Sequence, residues 1–361
     1  MTKKILNIVF VTRLYLPHLG GVEIHLKEIA AILIKMGHKV SIITAQYDKK
    51  LASFVEYDNV KVYRINHESS NDKLKTWSEI KKLKNIFDQA DIVHIHDIFW
   101  WILPVYKNIR KKIFMTFHGW ETEFPIPVNA KFHRLIISKL CLSTIHVGDY
   151  IQQFYWDKPS AVTYGGINPK RFTKSNIFKQ VKKSANKRKK GLKKFVFIGR
   201  LDVDTDIPLY LKLLQALRDK KINFEITWVG DGPLRKQCQK YGEVTGFVKI
   251  ISQYIVPSDF VFASSYLSIL ESQMLGKVVC AFYSNALKRL YLELFPGSKY
   301  MIISDSVKGM ILKLDHIHST RKLLPKCEFD AKQFAQRQNW EAVVKTYFTL
   351  WNRKYKAKNN A

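Results

Sequence analysis

Residues 6–11 (LNIVFV) form a short apolar run of strand length, residues 17–21 a turn bearing Pro and Gly, and Val22, Leu26, Ile29, Ala30 and Leu33 then recur at helical spacing until Gly37 supplies a stop. A β-rich run at 40–44 follows, and others at 60–64, 91–96, 112–117, 144–147 and 161–164 are separated by helix-length segments. Strands that are almost continuously apolar and alternate with helices predict a parallel sheet covered on both faces. The pattern resumes with a strand at 194–198, a helix at 208–220, a strand at 224–229, a turn at 230–233, a strand at 259–262, a helix at 267–275 and a strand at 278–282. The expectation is an α/β chain of two Rossmann-like domains facing each other across a cleft, with ligands beyond the carboxyl ends of the strands.

Between the two halves, residues 179–194 (KQVKKSANKRKKGLKK) hold nine basic residues and no acidic one. The predicted division is an N-terminal domain over 1–175, a basic linker over 176–194 and a C-terminal Rossmann-like domain over 195–334. A final helix and tail over 335–361 then pack back on the N-terminal domain. Within that last segment Val343, Val344, Tyr347, Leu350 and Trp351 fall near one helical face.

Composition narrows the partners. An apolar fraction of 47% with 25% charged residues is a globular balance, which excludes a disordered or fibrous chain. Sixty Lys and Arg against thirty Asp and Glu leave a formal charge of +30, so the chain attracts anions: a membrane surface, a nucleic acid or a phosphorylated small molecule. Cys141, Cys238, Cys280 and Cys327 are widely spaced with no C-x-x-C pair, which fits a reducing cytoplasmic setting and speaks against a structural zinc site. The start MTKKILNIVF reads as a first strand rather than a leader, and no apolar run reaches the length of a membrane span.

Several residues lie where chemistry is expected. Gly20 and Gly21 stand between a strand and a helix, where a missing Cβ permits a tight turn or close approach to a ligand, and Glu23 occupies the first helical turn. His94, His96 and Asp97 close one strand as V-H-I-H-D, with both histidines on one side at period two; His118 follows another strand in M-T-F-H-G-W-E. Arg200 directly follows a strand, as a residue that pairs with pyrophosphate would. Asp202, Asp204 and Asp206 alternate but lack the central Gly and position-twelve Glu of a calcium loop, so they read as solvent-facing or helix-capping groups. Leu267, Ser268 and Ile269 open a predicted helix whose amide groups can meet a phosphate, and Glu271 lies about one turn in.

Four ordered strings carry a resemblance: Y-L-P-H-L-G-G-V-E at 15–23, Y-G-G-I-N-P-K-R-F at 164–172, G-R-L at 199–201 with V-G-D-G-P-L-R at 229–235, and P-S-D-F-V-F-A-S-S-Y-L-S-I-L-E-S-Q-M-L-G-K at 257–277. Together they resemble family 4 of the retaining, nucleotide-sugar-dependent glycosyltransferases of the GT-B fold. That resemblance implies transfer of a hexose from a nucleoside diphosphate sugar to a glycan or lipid-linked acceptor. It implies no metal and no cofactor beyond the donor substrate. His118 would contact the transferred sugar, and Gly20 and Gly21 would face the donor phosphates and the acceptor. Arg200, Gly230 and the amides of Leu267, Ser268 and Ile269 would serve the donor pyrophosphate, and Glu271 its ribose. Two positions depart from the family pattern: Thr205 stands where a second phosphate-binding lysine is usual, and Ala263 where the first glutamate of an E-x7-E pair is usual.

The implied setting is the cytoplasm, with peripheral attachment to the inner face of a membrane. The rival readings are a GT-B-like scaffold without catalysis, prompted by Thr205 and Ala263, and a basic nucleic-acid binder, for which no RNP, KH or zinc-finger signature is present.

Overall fold

The computed structural model describes residues 4–67, 72–120, 123–173, 192–319 and 324–359. Residues 176–191, most of the basic segment expected as a linker, lie outside the described residues. The chain divides into two compact units: Met1–Gly165 together with Trp340–Ala361, and Gly166–Asn339.

The first unit is built on eight strands: β1 (Asn7–Thr12), β2 (Lys39–Ala45), β3 (Phe54–Tyr57), β4 (Val60–Ile65), β5 (Ile92–His96), β6 (Ile113–Phe117), β7 (Ser143–Val147) and β8 (Ala161–Thr163). Their order is β3-β4-β2-β1-β5-β6-β7-β8, parallel throughout except for the antiparallel edge pair β3·β4. Phe10 of β1 is flanked by Ile42 of β2 and His94 of β5, and every residue of β5 and β6 is buried. Chain order reverses direction across the sheet at β1 and β5. The loops that leave those two strands therefore flank a topological switch point, the place where an open α/β sheet accepts ligands.

The first helix, Gly21–Lys35, buries Leu26, Ile29, Ala30 and Leu33 and keeps Lys35 in its last turn. It ends because Gly37 adopts φ +88°, a left-handed conformation costly for residues with a Cβ, while its amide closes on the Ile34 carbonyl at 2.9 Å. The C-terminal helix, Trp340–Asn359, packs on this helix. Trp340, Val343, Val344, Tyr347, Leu350 and Trp351 are all buried, and each such side chain contributes roughly 1.5–3 kcal/mol on removal from water.

The second unit has six strands: β9 (Lys193–Ile198), β10 (Phe224–Val229), β11 (Glu243–Gly246), β12 (Phe260–Ala263), β13 (Val279–Phe282) and β14 (Met301–Ser304). They run parallel in the order β11-β10-β9-β12-β13-β14, with the switch point between β9 and β12. The core is rich in aromatic rings: Phe195 stacks on Phe262 at 5.1 Å, and Tyr210, Trp228 and Phe282 are fully buried. Both units are thus Rossmann-like, with parallel or nearly parallel sheets flanked by helices.

Candidate active site

In the first unit a cavity of about 800 Å³ opens at the switch point. It is lined by Thr12 and Arg13 after β1, by Val22 and Glu23 of the first helix, by His96 and Asp97 after β5, and by His118 to Trp120 after β6. The helix Val128–Leu140 closes another side, contributing His133 and Arg134 among others. Arg134 holds the floor in shape: both its terminal nitrogens donate to the Gly119 carbonyl at 3.0 Å, and its guanidinium stacks 3.7 Å over Tyr155.

His118 is fixed from two directions. Its amide donates to Asp97 Oδ1 at 2.9 Å, and its Nε2 lies 2.7 Å from His96 Nδ1. Asp97 is itself left-handed, φ +65°, a conformation that a short carboxylate side chain tolerates better than most. His96 Nε2 is buried with no partner among the described residues. An orphaned lone pair is less exceptional in a protein interior than an orphaned N–H, so the shared hydrogen is assigned to His96 Nδ1. His118 Nε2 then accepts, and His118 Nδ1–H is left to donate. Burial lowers the pKa of His118, an effect opposed by the charge of Asp97, so the ring is neutral at pH 7.

Behind His118 runs a second chain of hydrogen bonds. The Trp351 indole N–H, which can only donate, reaches His94 Nδ1 at 3.2 Å. His94 Nε2 therefore carries a hydrogen and donates to Thr116 Oγ1 at 2.8 Å. Thr116 and Tyr347 hydroxyls meet at 2.9 Å, and Tyr347 Oη lies 3.0 Å from His25 Nε2. Every hydrogen finds an acceptor only if Thr116 donates to Tyr347 and Tyr347 donates to His25. His25 then packs edge-on against His118, with ring centroids 4.9 Å apart. Burial holds His25, His94 and His96 well below the ordinary imidazole pKa, and the neighbouring histidines add to the shift.

Gly20 is the extended N-cap of the first helix, and the Glu23 carboxylate folds back against it so closely that a Cβ at Gly20 would collide with Glu23; Gly21 has open space on its Cα. Glu23 is buried, which raises its pKa, while His18 at 3.3 Å favours the carboxylate. Neither glycine lines the cavity; Val22 and Glu23 do.

In the second unit, Gly199 and Gly230 both have positive φ, and a Cβ at Gly230 would overlap the Gly199 carbonyl. The loops after β9 and β10 can meet only because these residues are glycine. Arg200 is largely exposed and paired with Asp204, while Asp202 caps the following turn by accepting from the Val203 amide at 2.7 Å. The Thr205 hydroxyl is spent inside that turn, its one hydrogen shared between the Arg200 and Asp202 carbonyls at 2.7 and 2.9 Å. Asp206 is buried rather than solvent-facing, and burial raises its pKa. Among the described residues no group of three His, Cys, Asp or Glu side chains gathers in a metal-binding arrangement.

The helix after β12, Tyr266–Met274, begins one residue earlier than the sequence pattern suggests. That shift corrects one expectation. The Ile269 amide is already committed to the Ser265 carbonyl at 2.9 Å, and the Tyr266 amide to Tyr291 Oη at 3.1 Å. The amides available to an anion are those of Leu267 and Ser268. Ser268 Oγ is buried and tied to Ser265, 2.6 Å from its hydroxyl. Glu271 is half-buried in the second turn, and Ala263 is fully buried at the end of β12. Arg200 and this helix start both leave the carboxyl ends of β9 and β12, the adjacent pair at the switch point. Sequence reasoning did not single out His25, Arg134 or the role of Tyr347, because none lies in the strings that carry a local motif, and it quoted Trp120 only as a neighbour of His118.

Two Rossmann-like units, each with a parallel or nearly parallel sheet and its own switch point, have the architecture of the GT-B fold. The model of Glycosyltransferase Family 4 matches residues 19–171. An uncharacterized glycosyltransferase of Methanocaldococcus jannaschii is 25% identical over 94% of this chain and 96% of its own length. Among solved structures, a glycosyltransferase from Rickettsia africae superposes with a TM-score of 0.75 at 18% identity, covering 98% of this chain and all of its own. Anabaena HepE, in complex with UDP and glucose, gives a TM-score of 0.69 at 12% identity over 95% of this chain and 98% of its own.

Proposed function

We propose that the protein is a retaining hexosyltransferase of the family 4 type that uses a nucleoside diphosphate sugar without a metal ion. The observation that carries this reading is the neutral His118, held by Asp97 and His96 at the rim of a cavity of about 800 Å³, with a hydrogen left on Nδ1 for a sugar hydroxyl. In the second unit Arg200 and the Leu267 and Ser268 amides neutralise the diphosphate as it leaves, and Glu271 accepts from the ribose hydroxyls. Arg200 exchanges its Asp204 partner for the phosphate. The anomeric carbon gives up its bond to the diphosphate oxygen and gains one to an acceptor oxygen, whose proton passes to the departing diphosphate. The acceptor, a glycan or lipid-linked saccharide, occupies the cavity of the first unit. The structure of HepE with UDP and glucose supports a nucleotide-sugar donor for this architecture.

A scaffold without catalysis is the second reading, favoured by Ala263, which has no polar group to offer a donor sugar. A panel of nucleotide sugars separates the two. One member should raise the thermal midpoint of the protein and release its nucleoside diphosphate when an acceptor is present. Stabilisation by no nucleotide sugar would refute the donor site, and stabilisation without release would favour the scaffold.

A further inference from the structure

Among the described residues one lysine is buried: Lys288, 6% exposed. It lies on the helix Ala286–Glu293 after β13, whose start is capped by Asn285, the side chain of which accepts from the Lys288 amide at 2.9 Å. Its Nζ lies 5.6 Å from the centre of the Tyr291 ring, three residues on and therefore on the same helical face. Tyr291 Oη accepts from the Tyr266 amide at 3.1 Å, and the Tyr291 ring lies flat on that of Tyr266 at 4.2 Å. One tyrosine thus ties Lys288 to the first residue of the helix Tyr266–Met274, next to the open amides of Leu267 and Ser268.

Strand β12 lies between β9 and β13, so the loops leaving three neighbouring carboxyl ends bring Arg200, those amides and Lys288 to one edge of the sheet. An ammonium taken out of water is costly, and burial lowers the pKa of Lys288. The charges of Asp206 and Asp204 offset that cost, whereas the charge of Arg200 adds to it. Asp206 does not account for the lysine by itself. Burial raises its own pKa, and its buried Oδ2 has no partner among the described residues, so that oxygen does not hold the ammonium. Arg200 and Lys288 are two cations within reach of each other's field, and a group bearing two negative charges relieves their repulsion. Thr205, meanwhile, leaves no charge at the position where the family pattern has a second phosphate-binding lysine. We propose that Lys288 supplies that second cation to the donor diphosphate, from the helix after β13 instead of the loop after β9. Arg200 offers a planar fork to the diphosphate, and Lys288 a compact charge from the other side of β12. The inference rests on the donor site proposed for the second unit, and its test separates the two.

The full chain is titrated calorimetrically with UDP, GDP, ADP and dTDP. The tightest of the four is carried forward together with its nucleoside, measured by displacement. Lys288→Met keeps an unbranched side chain and removes the charge. It should weaken the diphosphate by at least about tenfold, about 1.4 kcal/mol, and the nucleoside by less than about twofold. Asp206→Asn with Lys288→Met removes the buried carboxylate as well, and asparagine tolerates the left-handed backbone that Asp206 adopts at φ +61°. This double variant leaves neither buried charge uncompensated, so it should fold even where the single variant does not, and it should bind the diphosphate as weakly as the single variant. The thermal midpoint without ligand establishes folding. The inference fails if the double variant binds like the parent protein, which would reduce Lys288 to neutralising Asp206. It fails equally if Lys288→Met weakens diphosphate and nucleoside to the same extent, or weakens neither. If the parent protein binds none of the four diphosphates, the donor site itself is refuted and this inference with it.

Discussion

Tyr347→Phe removes one oxygen from the interior and tests whether the hydrogen bonds behind His118 form a directed chain. The Tyr347 ring is fully buried and stacks on His94 at 4.6 Å, contacts that phenylalanine keeps. What disappears is the hydroxyl that bridges Thr116, at 2.9 Å, and His25, at 3.0 Å. The Thr116 hydroxyl hydrogen and the His25 Nε2 lone pair are then both buried without partners. Each unsatisfied group costs about 1–2 kcal/mol, so the first unit should lose about 2–4 kcal/mol. With a urea dependence of about 2 kcal/mol/M, the unfolding midpoint should fall by about 1–2 M. Tryptophan emission is the natural probe, since seven of the eight tryptophans, all but Trp228, belong to the first unit. Tyr106→Phe, which loses one exposed bond to the Leu140 carbonyl, should shift the midpoint by no more than about 0.3 M. A Tyr347→Phe midpoint within about 0.3 M of the parent would refute the directed chain.

The buried histidines predict an acid-sensitive fold. His25, His94, His96 and His118 all have lowered pKa values because burial disfavours the imidazolium. The unfolded chain takes up protons near pH 6.5 that the folded chain refuses. Their stabilisation is therefore complete above that pH and lost below it, by up to about 1.4 kcal/mol per histidine per pH unit. Urea midpoints that stay constant from pH 7.5 to 5.5 would contradict this. Glu271→Gln should weaken binding of a nucleoside diphosphate by about 5- to 30-fold and abolish its preference over the 2′,3′-dideoxy analogue. Arg200→Ala should weaken both ligands while preserving that preference; calorimetric titration distinguishes the two patterns. Transfer should proceed at an unchanged rate in excess EDTA, and a loss restored only by Mg²⁺ or Mn²⁺ would overturn the metal-free reading.

Much of the fold is legible along the chain, for a physical reason. Strands buried on both faces, such as β1 and β6, are near-continuous apolar runs that periodicity detects. The strands that escape notice sit at or beside sheet edges: β3 alternates half-buried and exposed residues, and β11 is the four-residue EVTG with a register shift beside it. The site is less legible. His94, His96 and His118 are visible as local strings, yet their supports come from far away in sequence. Tyr347 bonds His25 across 322 positions, and Trp351 bonds His94 across 257. The amphipathic pattern of the C-terminal helix shows that Tyr347 is buried but not which polar atom it meets. The displaced amide at Ile269 has a subtler cause, since a helix start one residue earlier moves every unsatisfied N–H by one place.

Glycosyl transfer itself is the most direct measurement of the central claim. The stabilising nucleotide sugar, labelled in its hexose, should be incubated with a total lipid extract and with the parent protein or His118→Ala. Label entering an acceptor and nucleoside diphosphate released should be followed together. The account predicts equal amounts of both for the parent protein, with the anomeric configuration of the donor retained in the product. His118→Ala should lower the rate by at least about 100-fold while the protein still binds the nucleoside diphosphate. Donor binding with no label transferred by the parent protein, or a His118→Ala rate equal to that of the parent, would contradict it.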